Sequence, residues 1–244
     1  MPRFFVNKDN IKENTIIIDN TDAHHIARSL RMAEGDEVIV CNGEGAEFRC
    51  VLTRIRDEEC ECEIVEALNS KSESSIQTTL FMAYPKGDKL ETVIQKAVEL
   101  GCSHIVPFES SRCIKRPKVE KAEKQTARLQ RIAEEAAKQC GRARIPEVSS
   151  PISFKQMLVE AKKSDLSLLC YENEEGYSIK DALKKDDAPR SISIIVGAEG
   201  GFSPEEVDEA TEAGCLSVTL GNRILRCETA PLFALSAISY EFEL

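Results

Sequence analysis

The sequence predicts an α/β protein built from two domains, a small β-rich domain followed by a larger one. Residues 1–70 contain short β-branched and alternating segments separated by turns, a pattern typical of strands. From Gln77 onward, strands and amphipathic helices alternate, which favours a parallel sheet covered by helices. A Ser-, Lys- and Glu-rich stretch separates the two patterns. We therefore expect domains at 1–70 and 77–244, joined by a linker at 71–76.

The first domain is predicted to be a small β-barrel with one short helix. The helix follows from the helical spacing of Ile26 and Leu30 within residues 22–32. Four strands follow from β-branched or alternating residues, and they are expected at 15–19, 36–41, 47–55 and 59–68.

In the second domain, Asp88 can cap a helix whose apolar positions recur at helical spacing until Gly101 ends it. The last helix, 230–242, is nearly apolar all round, which indicates that it is buried in a core or an interface. The remaining elements are strands at 78–84, 104–108, 166–171 and 192–196, and helices at 120–140 and 153–162.

Composition limits the cellular setting. No apolar run approaches the roughly 20 residues of a membrane-spanning helix. The amino terminus, M-P-R-F-F, lacks the apolar core of a signal peptide. The ten cysteines form no C-x-x-C pair, and no histidine lies at a zinc-ligand spacing from the Cys60-x-Cys62 pair. We expect a cytoplasmic protein without a metal site, whose thiols are reduced and act as small apolar residues.

The charge is distributed unevenly. The chain carries 42 acidic and 32 basic residues, a formal net charge of −10. The segment from Arg112 to Arg144 contains eleven basic and four acidic residues and is net +7, which leaves −17 for the rest. A polyanion such as RNA would therefore have to meet this one segment.

Residues 192–206 are predicted to form a buried strand, a glycine-rich turn and a helix start. Ser203, Pro204 and Glu206 have the pattern of a capping box with Pro at the first helical position. The glycines at 197, 200 and 201 allow a ligand or another backbone to approach closely. The spacing is neither a dinucleotide fingerprint nor a P-loop, so the residues alone leave a ligand loop and a mere tight turn open.

A second strand and loop follow at 218–230, where the strand ends in Gly221 and two arginines precede a helix. Because the carboxyl ends of parallel strands meet at one edge of a sheet, we expect this loop and the glycine-rich turn to be neighbours.

Two motifs, G-A-E-G-G-F-S at 197–203 and L-G-N-R-I-L-R-C-E-T-A at 220–230, closely resemble the signature of the RsmE family. These SPOUT-superfamily methyltransferases methylate N3 of one uridine in 16S ribosomal RNA of the small ribosomal subunit. The resemblance spans the chain and includes P-R-F-F at the start, H-H-I-A-R-S-L-R-M at 24–32, K-G-D-K-L-E-T-V-I-Q-K-A-V-E-L-G at 86–101 and E-E-A-A-K-Q-C-G-R at 134–142.

The resemblance implies a PUA-like β-barrel followed by a SPOUT-type α/β domain with a deep carboxyl-terminal trefoil knot. It also implies S-adenosylmethionine as the cofactor, a homodimer, and RNA as the substrate. Carried over by motif position, the cofactor contacts fall on Gly197, Gly200, Gly201, Leu220, Gly221, Leu225 and Arg226.

Arg226 and Glu228 are the candidate catalytic residues, and a salt bridge at the helix start is the alternative explanation for them. The proton acceptor stays open among Glu199, Glu228 and water. The candidate RNA contacts are Arg28, Arg31, Lys86, Arg112, Arg116, Arg142 and Arg144, for which ordinary surface charge is the alternative. The resemblance also suggests His24 and His25 as RNA contacts, although a histidine in a barrel is more often structural.

Two other functions remain open at this stage. One is a non-catalytic RNA-binding or ribosome-assembly module that keeps the fold. The other is a SPOUT methyltransferase that acts on another RNA, such as transfer RNA. The intact motifs at 197–201 and 223–229 favour the enzyme, because a pure RNA binder has no need of a cofactor site.

Overall fold

The computed structural model describes residues 1–114, 119–184 and 188–244, with only the backbone described for 119–121. The chain divides into two compact units. The first unit contains Met1–Glu73 and Ala137–Ile145, and the second contains Ser74–Ala136 and Pro146–Leu244. The sequence pattern predicted one domain over 77–244. The structure differs, because it assigns residues 137–145 to the first unit, and no local sequence signal indicated this.

The first unit contains a five-stranded mixed sheet in the order β1-β3-β4-β5-β2. Only the pair of β1 and β3 is parallel. The strands are β1 (Arg3–Phe5), β2 (Thr15–Asp19), β3 (Glu37–Cys41), β4 (Glu47–Ile55) and β5 (Glu59–Leu68). The order of the sheet places β1 and β2 at its two ends.

Alternating residues explain why these strands bury one face. Ile16 and Ile18 of β2 are fully buried, as are Cys60 and Cys62 of β5 opposite them. Because side chains alternate across a strand, the residues between them face outward. All ten cysteines are free thiols and nine are buried, so they pack as small apolar residues, as predicted.

The predicted helix at 22–32 forms with a different shape. It begins at α1 (Asn20–His24) and continues as a wider π-helical turn over His25–Leu30. It ends at Arg31, whose φ of 51° lies in the left-handed region.

The second unit contains a seven-stranded sheet in the order β12-β10-β11-β6-β7-β8, with β9 also beside β7. Every pair is parallel. The strands are β6 (Gln77–Ala83), β7 (His104–Glu109), β8 (Glu147–Val148), β9 (Ile152–Ser153), β10 (Leu166–Cys170), β11 (Ser191–Val196) and β12 (Leu216–Val218). The predicted parallel sheet is confirmed.

Six helices are described with these strands. They are α2 (Lys89–Glu99), α3 (Val119–Cys140), α4 (Phe154–Ala161), α5 (Ile179–Leu183), α6 (Pro204–Glu212) and α7 (Ala230–Phe242). The last turn of α3, from Ala137, belongs to the first unit. Within the described residues, no helix is long and apolar enough to span a membrane.

Candidate active site

An open pocket lies at the carboxyl ends of the parallel strands of the second unit. Its volume is about 420 Å³, within the roughly 300–1,000 Å³ of small-molecule and cofactor sites. Residues from the segments after three strands and from the start of α2, which follows β6, line it: Lys89 begins α2, Tyr171 and Glu172 follow β10, and most residues of 197–201 and 219–230 follow β11 and β12. We call 197–203 the glycine loop and 219–229 the arginine loop.

The end of the glycine loop is fixed by the start of α6. Ser203 Oγ accepts the N–H of Glu206, and Glu206 Oε2 accepts the N–H of Ser203, which confirms the predicted capping box. Glu206 Oε1 also accepts the N–H of Ser111 at 2.6 Å. Phe202 is buried. Because its end is anchored in this way, the loop can hold residues 197–201 in a defined shape beside the pocket.

Two pocket glycines occupy positions that a side chain would disturb. Gly201 has φ of +61°, and a Cβ there would lie 2.1 Å from Glu172 Oε1. Gly221 has φ of +110°, and a Cβ there would meet nothing within 4 Å. Both conformations are rare for residues other than glycine. The absence of a side chain at Gly201 thus lets Glu172 pack against the glycine loop, whereas the space next to Gly221 stays open.

The first half of the arginine loop has few internal hydrogen bonds. Gly221 donates its N–H to Thr219 Oγ1 at 3.2 Å. In the part of the chain that the structure describes, the N–H groups of Leu220 and Leu225 have no protein acceptor. Backbone donors without a protein partner at a cavity are available to a bound ligand.

A charged cluster borders the pocket where the two loops meet the start of α2. Lys89 Nζ lies 3.0 Å from Glu199 Oε1 and 3.3 Å from Glu228 Oε2. Cys227 Sγ lies 3.7 Å from the same nitrogen and 3.2 Å from Glu228 Oε2. Glu199 Oε1 also accepts the N–H of Lys86 at 3.1 Å. One cation therefore contacts an acidic residue from each loop.

These contacts determine how the cluster is charged. Partial burial opposes ionisation of Glu199, but backbone N–H groups and Lys89 outweigh it and lower its pKa. The N–H of Glu228 itself, together with Cys227 and Lys89, lowers the pKa of Glu228 despite partial burial. The hydrogen bond to Glu199 raises the pKa of Lys89. Burial and the acidic neighbours raise the pKa of Cys227 to about 11. At neutral pH the cluster holds one ammonium, two carboxylates and a neutral thiol.

Arg223 and Arg226 line the pocket from the arginine loop. Both are exposed, and their guanidinium groups have no acceptor among the described residues. The salt bridge considered for Arg226 at the helix start is therefore not formed, although Glu228 does pair with Lys89. A free guanidinium at a pocket is suited to a carbonyl or phosphate oxygen.

Most of the predicted cofactor contacts lie together. Gly197, Gly201, Leu220, Gly221, Leu225 and Arg226 all line the pocket. Gly200 does not line it: its carbonyl accepts from Arg112 Nη1 at 3.0 Å, and a Cβ there would lie 3.0 Å from Arg112 Cβ. Glu228 stands next to the pocket, in contact with Lys89. Sequence reasoning missed Lys89 and Glu172, although both follow strands whose carboxyl ends meet at the pocket.

Two of the RNA contacts predicted for the second unit, Lys86 and Arg112, contact the glycine loop. Lys86 is exposed and its N–H is bound to Glu199. Arg112 is exposed and bound to the Gly200 carbonyl. Arg116 lies outside the described residues.

In the first unit, three predicted RNA contacts are exposed. Arg28 forms an ion pair with Asp57, and Arg31 follows it at the end of the π-helical turn. Arg144 extends along Gly45, where a Cβ would lie 3.0 Å from its Nε.

Arg142 requires a correction. It is 4% exposed, and its Nε and Nη2 donate to Glu73 Oε2 at 3.2 and 2.8 Å. An arginine bound in this way is not available to a phosphate, so its role here is structural. Lys138 of the same basic segment pairs with Asp22. Part of the +7 charge of residues 112–144 is therefore neutralised inside the molecule.

Comparisons with known proteins agree with this geometry. A family model described as "RNA methyltransferase domain" matches residues 72–239, and one described as "RNA methyltransferase PUA domain" matches 18–65. These matches place the chain in the class of RNA methyltransferases that carry a PUA domain.

The relatives narrow this class. Ribosomal RNA small subunit methyltransferase E of Bacillus subtilis is 38% identical over 251 aligned positions, covering 100% of this chain and 98% of the relative. The same enzyme of Neisseria gonorrhoeae, solved bound to S-adenosyl methionine, has a TM-score of 0.87 and 32% identity over 98% of this chain and 97% of that one. A methyltransferase from Legionella pneumophila, in complex with bound SAM, has a TM-score of 0.86 and 30% identity, covering 98% of this chain and 96% of that one. The chain belongs to the ribosomal RNA small subunit methyltransferase E family.

Proposed function

We propose that this protein is an S-adenosylmethionine-dependent methyltransferase that methylates N3 of a uridine in 16S ribosomal RNA of the small ribosomal subunit. The observation that carries the proposal is the open pocket of about 420 Å³ that residues of the glycine and arginine loops line. Family membership and the S-adenosyl methionine in the Neisseria gonorrhoeae structure support the cofactor.

The residues present fit such a cofactor. The free N–H groups of Leu220 and Leu225 can bind its polar atoms, and the open space beside Gly221 leaves room for it. Gly197 and Gly201 also line the pocket. The cofactor contacts carried over from the family remain a proposal, with Gly200 shaping the loop rather than touching the ligand.

The bound cofactor would supply an electrophilic methyl group. The protein then has to align the uridine nitrogen with that methyl and accept the N3 proton. Arg226 is the residue we assign to the uracil oxygens, because its guanidinium is exposed and unpaired beside the pocket among the described residues. The lowered pKa values make Glu199 and Glu228 weaker bases than free carboxylates, and the choice of proton acceptor among Glu199, Glu228 and water stays open.

The remaining family properties are proposed with the function. They are a carboxyl-terminal trefoil knot, domains at 1–70 and 77–244 with a linker at 71–76, a cytoplasmic location and a homodimer. Helix α7 supports the dimer, because Phe233 and Tyr240 lie two turns apart and are 41% and 74% exposed. Exposed aromatic residues on one helix face are typical of an interface. Sedimentation at micromolar concentration is expected to give a dimer, and a monomer would contradict it.

The test combines binding and transfer. S-adenosylmethionine at about 100 times its Kd should stabilise the protein by roughly 2.7 kcal/mol in thermal melting. Labelled methyl should then appear in small subunits from cells lacking the gene, at N3 of one uridine by mass mapping. Cofactor binding without any transfer to RNA would favour a non-catalytic module, and transfer to another RNA would change the substrate.

A further inference from the structure

Lys89 occupies an unusual position for a cation. It is the first residue of α2, and the N-terminus of a helix carries a partial positive charge that disfavours lysine there. Its side chain is only 31% exposed and reaches over the pocket edge instead of into water. Something other than helix formation must hold it in place.

The two acidic residues that hold it come from different loops. Glu199 belongs to the glycine loop and Glu228 to the arginine loop, and their side chains are 26% and 27% exposed. Among the described residues, Lys89 is the only cation that forms ion pairs with acidic residues of both loops. Lys89 therefore bridges the two walls of the pocket.

We propose that Lys89 is a positioning residue that clamps the glycine loop to the arginine loop through Glu199 and Glu228. The role rests on the cofactor pocket proposed above. It deepens that proposal, because the clamp sets the distance between the two walls that the cofactor would touch.

Removing the ammonium turns the clamp into a repulsion. Glu199 Oε1 and Glu228 Oε2 can be no more than about 6 Å apart, since one nitrogen lies 3.0 and 3.3 Å from them. Two like charges at that separation, partly shielded from water, repel each other. The second half of the arginine loop is hydrogen-bonded at the start of α7, but its first half has few internal hydrogen bonds. We therefore expect the repulsion to displace the first half of the loop and to widen the pocket.

The experiment measures the Kd of S-adenosylmethionine by titration calorimetry, without RNA. Lys89→Met should weaken binding about tenfold at pH 8, an effect of the size expected for one such charge pair. Lys89→Arg should restore most of the affinity. Lys96→Met is the matched control, because Lys96 lies on the same helix, pairs with Glu99 and stands away from the pocket.

A double variant separates charge from shape. Lys89→Met/Glu228→Gln removes the repulsion without returning the ammonium, so it should bind the cofactor more tightly than Lys89→Met alone. If Lys89→Met does not fold, folding and binding by the double variant would support the clamp. Failure of the double variant to regain affinity would overturn it, because the loss would then come from packing.

The pH dependence provides a further test. As the pH falls from about 8 toward about 4.3, the ordinary pKa of a glutamate, one of the two facing carboxylates in Lys89→Met should take up a proton before its wild-type counterpart does, and the affinity of the variant should approach that of the wild type. The other charged groups around the cluster are common to both proteins: Glu172, Arg223 and Arg226 line the pocket, Lys86 and Asp88 precede Lys89, and Cys227 stays neutral. A parallel pH dependence in the two proteins would contradict the clamp.

Cofactor binding by the wild-type protein distinguishes a failure of the proposed clamp from a failure of the proposed function. If the wild-type protein does not bind S-adenosylmethionine, the proposed function fails. If it binds, and Lys89→Met binds equally well at every pH, the function stands and the clamp is wrong.

Discussion

Arginine is used in opposite ways in the two units. In the first unit, Arg142 is buried against Glu73, whose other oxygen accepts the N–H groups of Ala143 and Arg144 at 2.9 and 3.0 Å. In the second unit, Arg226 is exposed at a pocket, and among the described residues nothing accepts its guanidinium protons. In the chain, Arg142 follows Gly141 and Arg226 lies between Leu225 and Cys227, and neither local sequence indicates which of the two arginines is buried.

The comparison shows how the protein separates stability from binding. The two oxygens of Glu73 accept from the Arg142 guanidinium and from the N–H groups of Ala143 and Arg144, which fixes residues 142–144 in one arrangement. Around the pocket, donors and charges lie beside open space. A ligand can therefore accept hydrogen bonds from the free donors at the pocket, whereas the donors bound to Glu73 are already occupied.

The largest effect is expected from breaking the buried pair. Arg142→Met leaves the Glu73 carboxylate, with its side chain 18% exposed, without its cation. Removing one partner of a buried ion pair costs about 3–5 kcal/mol. The measurement is urea unfolding followed by a probe in the first unit.

Arg49→Met is the control for this prediction. Arg49 also pairs with two carboxylates in the first unit, Glu37 and Glu66, but at the surface. Exposed pairs contribute far less to stability. If both variants unfolded at the same urea concentration, the structural role assigned to Arg142 would be wrong.

The second prediction concerns the open region. Gly221→Val should weaken S-adenosylmethionine binding at least tenfold, about 1.4 kcal/mol or more. The side chain would strain a backbone at φ of +110° and occupy space beside the pocket. Gly214→Val carries comparable strain, at φ of +96° with nothing within 4 Å, but Gly214 does not line the pocket. Equal cofactor affinity in the two variants would contradict the placement of the pocket.

Much of the fold could be predicted because its signals are local. β4 and β5 were predicted at their observed bounds, and the capping box at Ser203 was read directly from the sequence. The strands β1, β8 and β9 and the short helix α5 were missed, since elements of two to five residues carry almost no periodic pattern.

The site was predictable only in part. The glycine and arginine loops could be brought together because parallel strands end at one edge. The burial of Arg142 could not be predicted, since Glu73 is 69 residues away in the chain. Lys89 was overlooked for a similar reason: its partners lie more than 100 residues away, and a lysine at a helix start has the same local pattern as surface charge.

The third prediction moves the RNA contact from Arg142 to Arg144. Arg144→Gln should weaken binding of a small-subunit RNA fragment and reduce the slope of log K against log salt by about 1, because one fewer counterion is released. Filter binding at several salt concentrations measures the slope, and Arg49→Gln is the control. An unchanged slope would mean that Arg144 is only a surface charge.

The smallest effect is expected from substituting Arg28, whose environment is intermediate between those of Arg142 and Arg226. It is exposed like Arg226 but paired like Arg142, here with Asp57. The hydrogen bond and charge of Arg28 lower the pKa of Asp57. RNA must therefore compete with this carboxylate for the guanidinium, and Arg28→Gln should reduce the salt slope less than Arg144→Gln does.

NMR titration should show the pKa of Asp57 rising toward its ordinary value in the variant, with stability almost unchanged because the pair is at the surface. Adding RNA to the wild type should raise the pKa of Asp57 in the same direction if Arg28 turns to a phosphate. A pKa that does not change on RNA binding would show that Arg28 stays with Asp57 and makes no RNA contact.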